Sequence, residues 1–293
     1  MLKLGRVLTA MVTPFDQNLQ VNYHAAQELA VRLIDSGSDG LVIAGTTGES
    51  PTLSKQEKLN LFRAVVEAVG SRGTVIAGTG SYSTAESIEL TREAEKTGVD
   101  GILLVAPYYN KPPQEGLYQH FKAIAEVTSL PVIVYNIPGR TGVNIGVETM
   151  ARLAEIENVV GVKESSGNLA QATEFFEKTS ADFLIYSGDD ALTLPVLSVG
   201  GVGVISVSGH LAARLIQEMI AAYLRGDVAA AARINAELAS LNRTLFLNTN
   251  PIMVKAACNL LGFKVGGVRP PLVEASAKEI EILRQAITEL GLL

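Results

Sequence analysis

The sequence predicts an α/β protein built as one (β/α)8 TIM barrel with a helical C-terminal extension. Eight short runs of apolar and β-branched residues recur about every thirty residues through the first 210 positions. Most of these runs are continuously apolar, which is typical of parallel strands that are covered on both faces. Amphipathic helical patterns lie between the runs, and the 293 residues of the chain exceed the roughly 250 that this barrel usually needs.

The predicted strands are, in chain order, RVLTAMVTP, GLVIAGTT, GTVIAGTG, DGILLVAPYY, PVIVYNIP, VVGVKES, DFLIYSGDD and GVGVISVSG. Helical patterns follow several of them. In SKQEKLNLFRAVVEAVG, Ser54 and Glu57 form a capping box, and Gly70 ends the helix. In STAESIELTREAEKTG, Ser83 is the cap and Glu86 follows three residues later. The segments QEGLYQHFKAIAEV and NLAQATEFFEKTS predict two further helices.

An open doubly wound sheet is the alternative architecture. That fold usually carries G-x-G-x-x-G after its first strand, whereas here the first strand runs into TPFDQN. We therefore assign residues 1–210 to the barrel core, and residues 211–293 to the eighth barrel helix and the helical extension. The chain after about residue 211 is predicted to be helical, with breaks near Gly226, Pro251 and the two prolines at 270–271.

Composition excludes several classes of protein. Hydrophobic residues make up 47% and charged residues 18% of a chain with net charge −6, so no basic surface is expected for nucleic acid or anionic lipid. No apolar run reaches the roughly 18 residues of a membrane span, and the N-terminus has no signal-peptide pattern. The single cysteine, Cys258, excludes an intramolecular disulfide. We expect a cytoplasmic protein without nucleic-acid or membrane partners.

The active site of a (β/α)8 barrel lies where the strands end and the βα loops begin. Here those ends are rich in hydroxyl groups and carry one lysine; in order they are Thr13, Thr46–Thr47, Gly80–Ser81, Tyr108–Tyr109, Tyr135, Lys163, Ser187–Asp189 and Ser206–Ser208. None of them is a histidine. A histidine-based metal site or a Ser-His-Asp triad is therefore not predicted.

Lys163 is the candidate nucleophile among these residues. An amine held partly out of water is neutral part of the time and can then form a Schiff base. Tyr135 ends the preceding strand, so its phenol could move protons for that chemistry. The alternative is a lysine that extends into solvent or pairs with Glu164 or Asp189. Lys111 is a rival nucleophile, but it lies in a loop where solvent should keep it protonated.

Two loops at the same rim could bind a carboxylate. GTTGES follows the second strand, and Thr46 and Thr47 offer hydroxyl and main-chain N–H groups close to a helix start. YNIPGRTG follows the fifth strand, and its proline and two glycines would aim the guanidinium of Arg140. A capped turn in the first loop and a surface arginine in the second are the structural alternatives.

The loops after the seventh and eighth strands often bind phosphate in this fold. Here SGDD and SVGGVGVISVSGH contain no Arg or Lys, and Asp189 and Asp190 would repel phosphate. A non-phosphorylated carboxylate substrate is therefore expected. Gly201 and Gly203 are expected to thin the barrel wall so that a small keto acid fits.

Four motifs together resemble a known family. GTTGES, YYNKP, YNIPGRTG and VKESSG, in this order and at these spacings, are similar to the dihydrodipicolinate synthase family, which belongs to the pyruvate-dependent class I aldolase superfamily of N-acetylneuraminate lyase. The resemblance covers essentially the whole chain, including TNPIMVKAA and RPPL near its end. The R-T-G of YNIPGRTG points to this family rather than to sugar-acid aldolases.

The resemblance implies a Schiff-base condensation of pyruvate with L-aspartate 4-semialdehyde to 4-hydroxy-2,3,4,5-tetrahydrodipicolinate, in the lysine branch of amino-acid synthesis. Lys163 would form the imine. Tyr135, Thr46 and Tyr109 would relay protons, with Tyr109 lent by a neighbouring subunit. The implied assembly is a homotetramer of tight dimers, and no metal or organic cofactor is implied.

The same resemblance implies the residues that bind substrate. Thr46 and Thr47 would hold the carboxylate of pyruvate, and Arg140 would guide that of the semialdehyde. Gly188 and Ile205 would line the pocket.

One departure from the family concerns regulation by lysine. Lysine-inhibited members commonly carry histidines after GTTGES, where this chain has Lys55 and Lys58, and an asparagine where it has Tyr82. Ser50, Glu86 and Tyr108 of that pocket are retained. Two ammonium groups would repel a cationic effector, so feedback by lysine is expected to be weak or absent.

Three other functions stay open at this point. One is another keto-acid aldolase on the same scaffold, acting on sialic acid or a 2-keto-3-deoxy sugar acid. A second is a non-catalytic small-molecule sensor, which the intact lysine, tyrosines and threonine pair argue against. A third is a phosphosugar aldolase, which the missing basic phosphate site argues against.

Overall fold

The computed structural model describes residues 4–293, and it is a closed barrel of eight parallel strands. Each strand pairs with the next along the chain, and β1 closes the ring against β8. The strands are β1 (Val7–Ala10), β2 (Gly40–Ile43), β3 (Thr74–Gly78), β4 (Gly101–Val105), β5 (Val132–Asn136), β6 (Val159–Glu164), β7 (Leu184–Ser187) and β8 (Gly203–Ser206). The predicted barrel is confirmed, with each strand inside its predicted run.

Helices surround the barrel and continue beyond it. They are α1 (Tyr23–Asp35), α2 (Lys55–Val69), α3 (Thr84–Glu95), α4 (Gln114–Ala125), α5 (Pro138–Thr141), α6 (Val147–Ala154), α7 (Leu169–Lys178), α8 (Thr193–Ser198), α9 (Gly209–Leu224), α10 (Val228–Thr244), α11 (Ile252–Leu260) and α12 (Ala277–Glu289). Across residues 4–293, none of the helices combines the length and the apolar character that a membrane span requires.

The predicted helix caps are present. The Ser54 hydroxyl accepts from the Glu57 amide at 3.2 Å, and the Glu57 carboxylate accepts from the Ser54 amide at 2.8 Å, which completes the capping box of α2. Gly70 ends α2 with φ of +56°, a conformation that glycine adopts without a steric penalty. The Ser83 hydroxyl caps α3 by accepting from the Glu86 amide at 3.3 Å. Local sequence therefore determines where these helices begin and end.

The C-terminal extension departs from the prediction in one stretch. The expected breaks at Gly226 and Pro251 separate α9, α10 and α11, and the expected break at the prolines 270–271 is also present, but it belongs to a longer irregular stretch, residues 261–276. Gly262 and Gly266 have φ of +79° and +70°, which ends α11 and turns the chain. The prediction of helix up to the prolines 270–271 is wrong for residues 261–269, because buried contacts at the barrel mouth hold the chain in an irregular path. The division of the chain at residue 210 stays a prediction.

Two apolar cores fill the molecule. The larger lies between the strands and the surrounding helices. The smaller fills the inside of the barrel, and its buried members are Leu4, Leu8, Ala10, Val42, Ile76, Leu103, Ile133, Tyr135, Leu184, Tyr186 and Ile205. The Tyr186 hydroxyl donates to the carbonyl of Gly5 at 2.8 Å, at the amino end of the strands. This contact helps to close the barrel at its amino end.

Candidate active site

Lys163 lies near the end of β6, inside the barrel. Parallel pairing places it beside Tyr135 of β5 and Tyr186 of β7. Its Nζ lies 4.2 Å from the ring centroid of Tyr135, and the residue is only 5% exposed. Strand geometry thus brings the predicted nucleophile and the predicted proton donor together, because side chains in register on neighbouring strands share one face.

The structure does not support an ion pair for Lys163. Glu164 uses its carboxylate on the other side of the strand, where it accepts from Asn136 Nδ2 at 2.9 Å and from the Ser166 amide. The carboxylate of Asp189 accepts from the Ala191 amide at 2.9 Å. Between residues 4 and 293, no ion pair includes Lys163. Lys163 Nζ is therefore buried without a counter-charge among the residues that the structure describes.

Lys111, the rival nucleophile, is on the outside. It is exposed and adopts a φ of +45° in the loop after β4. Its aliphatic chain packs against Gly142, so that its Cε is 2.7 Å from the point a Cβ on that glycine would occupy. Water therefore has free access to the Lys111 ammonium.

The loop from Gly45 to Glu49 is held tightly. The Thr13 hydroxyl donates to the Gly48 carbonyl at 2.6 Å, and Thr47 Oγ1 accepts from Asn250 Nδ2 at 2.9 Å. A Cβ at Gly48 would lie 3.1 Å from the backbone of Ala44, so the turn depends on a close backbone approach there. Thr47 is buried, whereas Thr46 is partly exposed. A short 3₁₀ turn at Ser50–Thr52 separates this loop from α2.

A cavity of about 190 Å³ opens at the carboxyl ends of the strands. Its walls include Thr46, Tyr108, Tyr135 and Arg140, together with glycines of the loops after β2 and β3. Lys163 does not line this cavity. Its Nζ lies over the ring of Tyr135, which does line it. The volume suits a small ligand of a few heavy atoms, since one water in the liquid takes about 30 Å³.

Arg140 lies on α5, the single helical turn after β5. This turn begins at Pro138, whose fixed φ suits the first helical position. Arg140 Nη2 donates to the main-chain carbonyl of Asn250 at 3.2 Å, and the side chain forms part of the cavity wall. The guanidinium keeps further N–H donors for an anionic ligand.

Tyr109 is not brought to the site within this chain. It is 93% exposed and has a φ of +72°, which is uncommon for an aromatic residue. Tyr108, its neighbour, lines the cavity instead and packs edge-on against Tyr82 with ring centroids 5.2 Å apart. The predicted set of three relay hydroxyls is therefore incomplete in the single chain.

Gly188 and Ile205 lie close to Lys163 and to the barrel interior. A Cβ on Gly188 would be 2.9 Å from Lys163 Cε and 1.8 Å from Ser165 Oγ. Ile205 is 1% exposed and belongs to the inner core. Gly188 therefore makes room for the lysine stem, and Ile205 is part of the inner core of the barrel.

The loop after β8 has no free amides for phosphate. The carboxylate of Asp190 accepts from the amides of Val207 and Ser208 at 2.9 and 3.1 Å, and from the Ser206 hydroxyl. Burial raises the pKa of Asp190, while these donors oppose the rise. The groups that would cradle a phosphate are thus already satisfied by a buried side chain.

The expectation for Gly201 and Gly203 is wrong. Gly203 opens β8 at its amino end, opposite the mouth, and a Cβ there would be 2.0 Å from the Arg6 carbonyl oxygen. Gly201 is similarly close to Val196. Both glycines allow neighbouring backbone to approach closely and do not widen the ligand cavity.

The three histidines lie away from the site. His24 is exposed and pairs with Glu28 at 3.4 Å, whereas burial lowers the pKa of both His120 and His210 to about 4. His210 Nε2 accepts from the Val12 amide at 3.1 Å. In the part of the chain that the structure describes, residues 4–293, no cluster of three or more potential metal ligands occurs.

The residues after GTTGES form a second polar group beside the cavity. Lys55 pairs with a carboxylate on α3. Burial lowers the pKa of Lys58, and the nearby Glu86 carboxylate opposes that shift. Tyr82 is half exposed and covers Tyr108 from outside. The two ammonium groups therefore already have acidic neighbours.

Sequence reasoning missed three polar residues near the mouth: Asn250, Lys255 and Arg269. Asn250 contacts both Thr47 and Arg140, and Lys255 forms a buried ion pair with Glu49. One signal was present, because Lys255 interrupts the apolar run PIMVKAACNLL and a lysine is rarely buried without a partner.

Comparison with known proteins agrees with the geometry. A family model described as the dihydrodipicolinate synthetase family matches residues 3–290. The 4-hydroxy-tetrahydrodipicolinate synthase of Heliobacterium modesticaldum is 57% identical over 291 residues, covering 99% of this chain and 97% of that protein. The protein of the same name from Desulforudis audaxviator is 59% identical over 289 residues, covering 99% and 98%.

Solved structures show the same similarity. The dihydrodipicolinate synthase of Cyanidioschyzon merolae, solved with lysine bound, has a TM-score of 0.98 at 50% identity and covers 99% of both chains. The chloride-inhibited dihydrodipicolinate synthase of Acinetobacter baumannii, solved with pyruvate, has a TM-score of 0.96 at 39% identity, covering 99% of this chain and 100% of that one.

Proposed function

Because the chain belongs to the dihydrodipicolinate synthetase family, we propose that it condenses pyruvate with L-aspartate 4-semialdehyde to give 4-hydroxy-2,3,4,5-tetrahydrodipicolinate. The enzyme is a lyase of the class I aldolase type, and this reaction is the first committed step of the diaminopimelate and lysine pathway. The observation that carries the proposal is the amine of Lys163, which is buried, without an ion-pair partner, and 4.2 Å from the Tyr135 ring centroid.

The first half of the reaction forms an imine. Neutral Lys163 Nζ attacks the keto carbon of pyruvate, and the carbinolamine loses water to give a cationic imine. Tyr135 and Thr46 would carry protons to and from the departing oxygen. Thr46 and Thr47 would bind the pyruvate carboxylate, for which their fixed loop at the cavity wall is suited.

The second half forms the carbon–carbon bond and closes the ring. The cationic imine acidifies the methyl group, and loss of a proton gives an enamine whose carbon attacks the aldehyde. Arg140 would hold the carboxylate of the semialdehyde, and Gly188 and Ile205 would bound the pocket. The amine of the condensed product then attacks the imine carbon and displaces Lys163. The imine itself is the electron sink, so the scheme includes no metal or organic cofactor.

A neighbouring subunit would complete the relay. Tyr109 extends from the chain with 93% of its surface exposed, which suits a side chain that inserts into a partner's site. We therefore propose a homotetramer built as a dimer of dimers, located in the cytoplasm.

The test is borohydride trapping. Borohydride added with pyruvate should reduce the imine and leave a covalent adduct, which peptide mapping should locate at Lys163. Lys111→Ala is the matched control and should trap as fully as the wild type. An adduct on Lys111, or no adduct at all, would overturn the assignment.

A second assay separates this reaction from related ones. After the imine forms, L-aspartate 4-semialdehyde should be consumed in a coupled assay, whereas sialic acid and 2-keto-3-deoxy sugar acids should not be cleaved. Cleavage of a sugar acid without use of the semialdehyde would replace the proposed substrate while leaving the Schiff-base chemistry intact.

A further inference from the structure

A buried ion pair ties the Gly45–Glu49 loop to the C-terminal extension. Lys255 Nζ lies 2.7 Å from Glu49 Oε1, and the two side chains are only 2% and 1% exposed. Removing two charges from water this completely is costly, and such pairs contribute little net stability compared with apolar replacements. General stabilisation is therefore a weak explanation for the pair, and its location beside Thr46 and Thr47 suggests another.

Both oxygens of the Glu49 carboxylate are bound by the extension. Oε2 accepts from the main-chain amide of Arg269 at 2.8 Å, and Lys255 also donates to the Gly267 carbonyl at 2.5 Å. Lys255 Nζ lies over the ring of Phe15, 3.9 Å from its centroid. The carboxylate is thus fixed in orientation as well as in position, because Lys255 lies on α11 and the Arg269 side chain is itself anchored on Glu57.

The backbone at Glu49 needs this support. Its φ of +56° is in the left-handed region, which a residue with a long side chain rarely adopts. The Glu49 amide donates to the Thr46 carbonyl at 3.1 Å, so the two residues close one turn. Any relaxation of Glu49 toward ordinary backbone angles would move Thr46 and Thr47 directly.

The extension also contacts the threonine pair itself. Asn250 Nδ2 donates to Thr47 Oγ1 at 2.9 Å. The C-terminal extension therefore holds both the Thr47 hydroxyl, through Asn250, and the Glu49 carboxylate, through Lys255.

We infer that Glu49 and Lys255 are positioning residues: their ion pair holds the Thr46–Thr47 turn in the shape that receives the pyruvate carboxylate. The inference rests on the proposed function, since it concerns how that substrate is bound. Neither residue touches the reacting atoms.

The test uses the double variant Glu49→Gln/Lys255→Met, which removes both charges and leaves no unpaired buried charge. We measure its melting temperature, and we measure borohydride trapping on Lys163 as a function of pyruvate concentration. The melting temperature should stay close to that of the wild type. The half-saturating pyruvate concentration should rise by about tenfold or more, because small errors in the position of a binding group are costly. Saturating pyruvate should still trap Lys163 fully.

The control is a polar contact at the opposite end of the barrel. Gln217 Nε2 donates to Asp39 Oδ2 at 2.7 Å and to the Gly37 carbonyl at 3.1 Å. Gln217→Leu should lower the melting temperature and leave the half-saturating pyruvate concentration unchanged.

Three outcomes count against the inference. A folded double variant with the wild-type half-saturating concentration would show that the pair is only structural. If the double variant does not fold, hydrogen exchange of the wild-type protein is measured with and without pyruvate. Pyruvate should slow the exchange of amides in residues 262–271, because coupling between two sites is reciprocal. An unchanged exchange rate in these residues would overturn the inference. A wild type that forms no pyruvate adduct at all would overturn the proposed function, and the inference with it.

Discussion

Gly188→Ala is expected to displace Lys163, the proposed nucleophile. The new methyl group would lie 2.9 Å from Lys163 Cε and 3.0 Å from Lys163 Cγ, and 1.8 Å from Ser165 Oγ. Ordinary contact begins near 3.4 Å, so the lysine stem must move by about half an ångström even after Ser165 has rotated away. Lys163 is 5% exposed and packs against Tyr135, which leaves it little room to do so.

The size of the effect follows from that displacement. A misplacement of about 1 Å at a reacting group costs on the order of a hundredfold in rate, so half of it should cost about tenfold. The loss should appear in the rate of imine formation, measured as borohydride-trapped adduct against time at saturating pyruvate. Gly139→Ala is the matched control on the same rim, because a Cβ at Gly139 meets nothing within 4 Å; it should leave the rate unchanged.

A second substitution separates the two clashes. Ser165 Oγ is buried and has no hydrogen-bond partner within residues 4–293, so Ser165→Ala removes the shortest contact without breaking another. The double variant Gly188→Ala/Ser165→Ala should therefore remain slow, because the contact with Lys163 persists. Full recovery of the rate in the double variant would refute the argument that the lysine stem is displaced.

Three other expectations concern binding, regulation and acid stability. Arg140→Ala should raise the KM for aspartate semialdehyde far more than that for pyruvate, and a selective collapse of pyruvate trapping would contradict its role. L-lysine should inhibit weakly or not at all, because Lys55 and Lys58 already neutralise nearby carboxylates that would otherwise attract a cationic effector; half-inhibition below about 1 mM would contradict this. The bidentate Arg269 guanidinium lowers the pKa of Glu57 from 4.5 to about 2. The ionised Glu57 therefore stabilises the folded protein above pH 4.5, and this stabilisation is lost as the pH falls through 2. Glu57→Gln should therefore lower the free energy of unfolding by about 1–2 kcal/mol at pH 7, after allowance for solvent screening, and denaturant titrations should show this difference vanishing towards pH 2.

The strands and the core of the site could be predicted from the sequence because both depend on short-range patterns. Near-continuous apolar runs are typical of buried parallel strands, and parallel strands bring all their carboxyl ends to one rim. Lys163 and Tyr135 were therefore predicted as neighbours, although they are 28 positions apart in the chain. Their actual contact follows from strand register alone.

The contacts of the C-terminal extension could not be predicted in that way. Lys255 and Glu49 are separated by 206 positions, and nothing local to either residue specifies the other. The sequence predicts helix up to a break near the prolines 270–271, yet tertiary hydrogen bonds to Glu49 and Glu57 hold Arg269 in an irregular segment that begins at residue 261. Local propensity is overridden where a buried charge needs a partner.

Tyr109 shows how the two kinds of information combine. The sequence places it at the end of β4, yet the chain folds with Tyr108 on the cavity wall and Tyr109 in solvent. The φ of +72° at Tyr109 turns the chain directly after Tyr108, so the two side chains have different surroundings. A large apolar ring that is 93% exposed in a strained backbone conformation is hard to explain as a feature of the isolated chain. Donation of its hydroxyl to a second copy would account for both the exposure and the strain, and would make catalytic competence depend on assembly.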